Sequence, residues 1–124
     1  MSLSDIIKEP IIKPEYFLPL REPTFFILMS IAEGQKHGYA ILQDVESLSA
    51  GKIKLSNGTL YGALTRLQDQ DLIERVPSLE PAVKGKPRKA YQLTETGLRI
   101  LKAEIDRMDA LVQTARRQLP GGAQ

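Results

Sequence analysis

The chain has 124 residues, 42% of them hydrophobic, enough for one compact domain with a modest core plus one long appended element. Its 17 basic and 15 acidic side chains leave a formal charge of +2, so whole-molecule attraction to a polyanion is excluded as an argument and any such case has to be local. Cysteine is absent and His37 is the single histidine, which removes disulfides, thiolate metal sites and a cysteine nucleophile.

Residues 1 to 23 hold Pro10, Pro14, Pro19 and Pro23, each of which removes a backbone donor and restricts its predecessor, so an extended arm is expected there. Its apolar side chains, Ile6, Ile7, Ile11, Ile12, Tyr16 and Phe17, are too many for a free tail and imply docking on the body or on a partner subunit. The opening MSLSDIIKEPIIKPEYF has neither a sustained apolar core nor a signal-cleavage pattern. No stretch approaches the roughly 20 apolar residues that span a bilayer, so a soluble cytoplasmic protein is expected.

The next element, residues 24 to 33, reads as an apolar helix capped by Thr24 and ended by a left-handed Gly34. A polar turn from Gln35 to Gly38 leads to a second helix whose Ile41, Leu42, Val45 and Leu48 keep helical spacing. After Ser49-Ala50-Gly51, the segment KIKLS suits a short extended run. Ser56 then stands where a helix N-cap belongs, and Leu60, Leu64 and Leu67 recur at i, i+4 and i+7 along a third helix. Asp71 falls near that helix's end, where a residue tolerating positive φ is useful. Two extended candidates follow, Leu72 to Val76 and Arg88 to Leu93, around a loop holding Pro77, Pro81, Gly85 and Pro87, and they predict a long β-hairpin. Thr94 opens the last helix, in which Leu98, Leu101, Ile105, Met108, Val112, Ala115 and Leu119 alternate spacings of three and four as a heptad seam. A helix this long with no further core of its own to cover is expected to pair with a second subunit, making these seven residues a candidate dimer interface.

Three helices followed by a hairpin is the order of a winged helix-turn-helix, so the fold class expected is mainly α with a small β-hairpin. Its parts would be an extended arm at 1–23, the winged domain at 24–93, a dimerisation helix at 94–119 and a flexible tail at 120–124. The order alone does not distinguish DNA binding from a protein-interaction module, since winged helices serve both ends. Local chemistry favours DNA. The third helix turns Thr59, Tyr61, Thr65 and Arg66 away from its leucines, and Ser56, Asn57, Gly58 and Thr59 offer hydroxyl, amide and backbone donors where the helix dipole favours an anion. Ser56 as a simple cap and Tyr61 as a structural residue are the plainer readings of the same positions. In the hairpin loop Lys84, Lys86, Arg88 and Lys89 place four positive charges within six residues, suited to phosphate neutralisation with counterion release, although a solvated basic loop has the same composition. One imidazole without cysteine or a nearby carboxylate pair assembles no ordinary zinc site, and there is no phosphate loop or nucleophile elbow. Neither an enzyme nor a cofactor is expected, and His37 reads as a turn residue.

The blocks HGYAI at 37 to 41, LSNGTLYGALTRLQDQDLIE at 55 to 74 and KAYQLTETG at 89 to 97 together resemble the PadR family of bacterial transcriptional regulators. The resemblance implies a winged-helix DNA-binding domain, homodimerisation through the C-terminal helix, and repression of a nearby operon relieved by a small-molecule effector. Under it, Tyr39 and the Ser56 to Tyr61 stretch match positions that face DNA, Lys86 to Lys89 match the wing, and Thr94-x-x-Gly97 matches the junction into the dimer helix. The chain departs from the family pattern in three places. Asn57 stands where proline is usual, and Asp71 replaces the usual glycine before Leu72-Ile73. The C-terminal helix lacks the tryptophan with which some relatives build an aromatic-stacking drug site.

Overall fold

The computed structural model describes residues 13–81, 85 and 88–121. Contacts divide these into two compact units, one covering residues 20–98 and the other the described parts of 1–19 and 99–124. The first is the winged helix. It runs α1 (Glu22–Ser30), α2 (Gly38–Leu48), α3 (Asn57–Asp69), β1 (Ile73–Pro77) and β2 (Lys89–Leu93), and ends in the opening turn of α4 (Glu95–Gln118).

Helix α1 starts two residues before the expected Thr24, because Pro23 sits in its first turn, where a missing N–H leaves no helical bond unmade. Arg21, with extended backbone, takes the N-cap position, and Thr24 does not cap. The far end also differs from expectation. The helix stops at Ser30, and Gly34 is not among the residues at positive φ. The chain straightens instead to reach β2, where Lys36 N donates to Tyr91 O at 3.0 Å and Tyr91 N donates to Lys36 O at 2.9 Å. These bonds add a single rung to the outer edge of the hairpin, a long-range pairing that local composition does not announce.

Helix α2 is tied to α1 through Asp44, whose carboxylate accepts from Ser30 Oγ at 2.8 Å and from Lys36 Nζ. Burial alone would raise the Asp44 pKa, but the hydrogen bonds from Lys36 and Ser30 and the lysine charge outweigh it and hold the carboxyl below its ordinary value. At the end of α2, Ala50 and Gly51 turn left-handed, and Gly51 N returns to Glu46 O at 2.8 Å. No strand forms over the following KIKLS, and the buried Ser49 takes the Ile53 N–H on its Oγ at 2.9 Å.

Helix α3 begins as expected. Ser56 Oγ accepts from Thr59 N at 3.1 Å, and Leu60, Ala63, Leu64 and Leu67 are buried, as are Ile27 and Leu28 of α1 and Ile41 and Val45 of α2 in the core of this unit. Asp71 follows at φ 62°, the left-handed conformation that a glycine adopts without strain. Leu72 O then accepts Thr94 N at 3.1 Å and also lies where a Cβ on Gly97 would stand, so glycine is needed for α4 to start against the hairpin. Thr94 Oγ1 accepts the Gly97 N–H at 3.0 Å, in keeping with its expected place at the head of the last helix. The two strands pair antiparallel, Ile73 with Leu93 through Pro77 with Lys89.

In the other unit a single 3-10 turn, Pro14–Phe17, appears where an extended arm was expected. The arm's Ile6, Ile7, Ile11 and Ile12, like the tail at 122–124, lie outside the described residues. Along α4, Ile100, Leu101 and Glu104 are buried, and Arg107 donates to the Glu104 carboxylate one turn earlier. Of the heptad positions, Leu101 is thus covered within the single chain and Met108 is half-buried, whereas Leu98, Ile105, Val112, Ala115 and Leu119 face solvent.

Candidate nucleic-acid interface

With its leucines buried, α3 turns a narrow strip outward. Gly58, Thr65 and Asp69 are exposed and Gly62 is half-covered, spaced by three and four along one side. Neither glycine is demanded by the fold. A Cβ on Gly58 meets nothing within 4 Å, and one on Gly62 meets only Arg66 Nη1 at 3.8 Å. Gly62, in the helix interior, exposes its backbone to whatever lies outside at a cost of about 1 kcal/mol relative to alanine, and Gly58 leaves the first turn bare as well. Thr65 spends its hydroxyl proton on the Tyr61 carbonyl at 2.9 Å, leaving its methyl and oxygen lone pairs outward.

Tyr61 and Arg66 occupy opposite edges of this strip. On the Tyr61 edge the ring lies over the N-terminus of α2, so close that a Cβ on Gly38 would stand 2.5 Å from Oη, and the ring is still 47% exposed. Beside it Tyr39 is 67% exposed. Together with Arg75, Arg88, Lys89 and Tyr91 these tyrosines line a cleft of roughly 390 Å³ between the helices and the wing. Burial raises the Tyr91 pKa, and the Arg75 guanidinium acts on the same phenol in the opposite direction. On the other edge Thr59 and Arg66 face the start of α1 across a second, smaller cleft.

Four of the residues expected to meet DNA at the head of α3, Ser56, Asn57, Gly58 and Thr59, are exposed there, as are Tyr39, Tyr61, Thr65 and Arg66. Lys84 and Lys86 lie outside the described residues. Lys89 is exposed, but Arg88 is not a free cation, because its guanidinium pairs with Glu80 at 3.1 Å. Glu80 Oε2 also lies 3.0 Å from His37 Nε2, and His37 Nδ1 lies 2.9 Å from the Lys89 carbonyl. Leu79 N donates to Gln35 Oε1 at 2.7 Å in the same region. The wing's base is therefore fastened to the turn before α2 by Gln35 and His37. Sequence reasoning assigned His37 only to a turn and passed over Glu80 and Arg75. The signal lay in the one histidine flanking a glycine, and in an acidic residue placed eight positions before a wing arginine.

Among the described residues no helix is long and apolar enough to cross a membrane, and no three metal-binding side chains cluster.

The sequence model of the transcriptional regulator PadR-like family matches residues 27–103, the span from the middle of α1 into α4. The chain belongs to the PadR-like family. A PadR-like transcriptional regulator from Bacillus cereus superposes with a TM-score of 0.63 at 26% identity, covering 79% of this chain and 91% of that one. A PadR family regulator from Eggerthella lenta covers 94% and 95% of the two chains, at 27% identity and a TM-score of 0.60. An uncharacterised 37.1 kDa protein in a transposon of Streptomyces fradiae is 35% identical over 85 residues, and the match spans only 22% of that protein's length. The PadR relatives are transcriptional regulators rather than enzymes, with the winged helix as their shared fold.

Proposed function

We propose that this PadR-type protein is a homodimeric repressor that reads a pseudo-palindromic operator by laying α3 in the major groove, one protomer per half-site. The observation that carries the reading is the outward strip of α3. Gly62 gives up helix stability, and Gly58 leaves the first turn bare, for no partner within their own unit, which is what close approach to base edges requires. Tyr39 and Tyr61, with the unpaired Arg75 and Lys89 of the neighbouring cleft, supply phosphate contacts beside it. The basic loop residues Lys84 and Lys86 extend the same role to the wing.

The dimer is supported by α4, on which Ile105 and Val112 stand 41% and 45% exposed along a heptad seam with Met108 and Ala115, and Leu111, next to that seam, is 57% exposed. Two heads joined by that helix would place half-sites about one helical turn, roughly 34 Å, apart. Relief by a small molecule follows if the ligand favours a head spacing that no single duplex accepts. A groove of roughly 630 Å³ between Pro14 and Leu18 on one side and Ala103 and Arg107 on the other is in keeping with such a ligand.

Selection of bound duplexes from random sequence, followed by a salt titration on the winner, tests the reading. A shared palindromic motif with strong salt dependence is expected. Retention of no duplex at low salt would instead assign the winged helix to protein binding.

A further inference from the structure

Five cations of the winged-helix unit, Arg21, Lys52, Arg66, Arg75 and Lys89, have no carboxylate partner among the described residues, whereas Lys36, Lys54 and Arg88 are ion-paired. The free arginines are not scattered. Arg75 lies in the cleft beside Tyr61. Arg21 and Arg66 both line the smaller cleft on the opposite edge of α3, roughly 130 Å³, together with Thr24 and Thr59 over a floor of Ile27 and Ala63. No acidic side chain lines it.

Helix geometry turns this into a prediction about strands. Positions 61 and 66 project about 140° apart at 3.6 residues per turn. A helix of about 10–12 Å diameter fills the major groove of about 12 Å, so the two phosphate backbones run along its two edges. A guanidinium on the Tyr61 edge and one on the Arg66 edge therefore meet different strands. We infer that the cleft between α1 and α3 is a second phosphate seat, in which Arg21 and Arg66 clamp a backbone phosphate of the strand opposite to the one engaged beside the wing. The inference rests on DNA as the partner and adds Arg21 and Thr24, at the head of α1, to the contact surface. Thr24 and Thr59 offer hydroxyl donors to the same anion. The role is positional: a clamp on each edge fixes the tilt of α3 in the groove without reading sequence.

The test uses the full chain with two duplexes, the one selected by the wild-type protein and a scrambled one of equal length. Arg21→Ala and Arg66→Ala are each expected to lower the log-log salt slope by about 0.9 per bound protomer. Over a fourfold rise in salt that makes the mutant's loss of affinity about 3.5-fold shallower per protomer. Both duplexes weaken by the same factor, Arg21→Lys keeps the wild-type slope, and Arg21→Ala melts as the wild type does because the side chain has no partner to lose. A slope unchanged in both alanine variants overturns the clamp, as does a changed ratio between the two duplexes, which would make the contact one with bases. If the wild-type protein itself binds neither duplex, it is the DNA reading that fails.

Discussion

Replacing Gly62 by alanine separates the demands of the fold from those of the partner. The residue is sixth in a thirteen-residue helix, and an added methyl finds open space except for Arg66 Nη1 at 3.8 Å, an ordinary contact. The folded chain therefore accepts alanine without rearrangement, and alanine is about 1 kcal/mol better than glycine in a helix interior, partly by limiting the unfolded chain. For a chain of this size that corresponds to a rise in Tm of about 4 °C, read by circular dichroism. The same methyl projects from the strip proposed to approach base edges. There it holds the helix off the groove floor, and a loss of about 1.4 kcal/mol or more, tenfold in Kd, is expected by fluorescence anisotropy on the selected duplex. Opposite signs for stability and binding are the signature of a glycine kept for a partner. A variant that melts higher and binds as tightly as wild type refutes the placement of DNA on this strip. One that melts lower refutes the claim that the fold has room.

Three further outcomes are expected. Asp44→Asn removes a carboxylate whose pKa is depressed, so its cost is fully present above the ordinary carboxylate range and shrinks as pH falls through the lowered native value. Thermal melts of mutant and wild type should differ at pH 7, by about 1 kcal/mol on the hydrogen-bond scale, and converge toward pH 3. Asp71→Gly relieves a non-glycine residue held at φ 62°, and a gain of up to about 1 kcal/mol in urea unfolding is expected, an unchanged midpoint counting against strain at that turn. Met108→Asp places a charge in the proposed seam at a cost of several kcal/mol, so light scattering should report a monomer and operator affinity should fall, whereas a persisting dimer would move the interface elsewhere on the chain.

What was legible in the sequence were the elements whose pattern is local. The leucine spacing of α3, the Ser56 cap and the need for positive φ at Asp71 are short-range properties, and each has its counterpart in the structure. The hairpin was found within a residue at each strand, because proline and glycine punctuate its loop. The miss at the end of α1 has a cause that local pattern does not carry, the long-range pairing of backbone groups. Gly34 did not turn left-handed because Lys36 is drawn into register with Tyr91, 55 positions away. The KIKLS segment, expected as a short extended run, carries no assigned secondary structure over 53–56, and the buried Ser49 takes the Ile53 N–H on its Oγ.

The surface of the winged helix repeats this division with charge in place of backbone. A cluster of four basic residues over 84–89 is conspicuous along the chain, yet Arg88 within it is neutralised by Glu80, and that carboxylate also holds His37. Arg21, Arg66 and Arg75 stand outside any basic cluster in sequence and make no ion pair among the described residues. Formal charge counts weigh all of these alike, and the folded chain does not. A cation already paired has to break that pair, or share it, before it can take up a phosphate, so the electrostatic footprint on DNA is set by the unpaired ones. Glu80→Gln offers a direct check: by freeing Arg88 it should strengthen binding to selected and scrambled duplexes equally and steepen the salt slope, and a slope that stays flat would mean that the Arg88–Glu80 pair faces away from the nucleic acid.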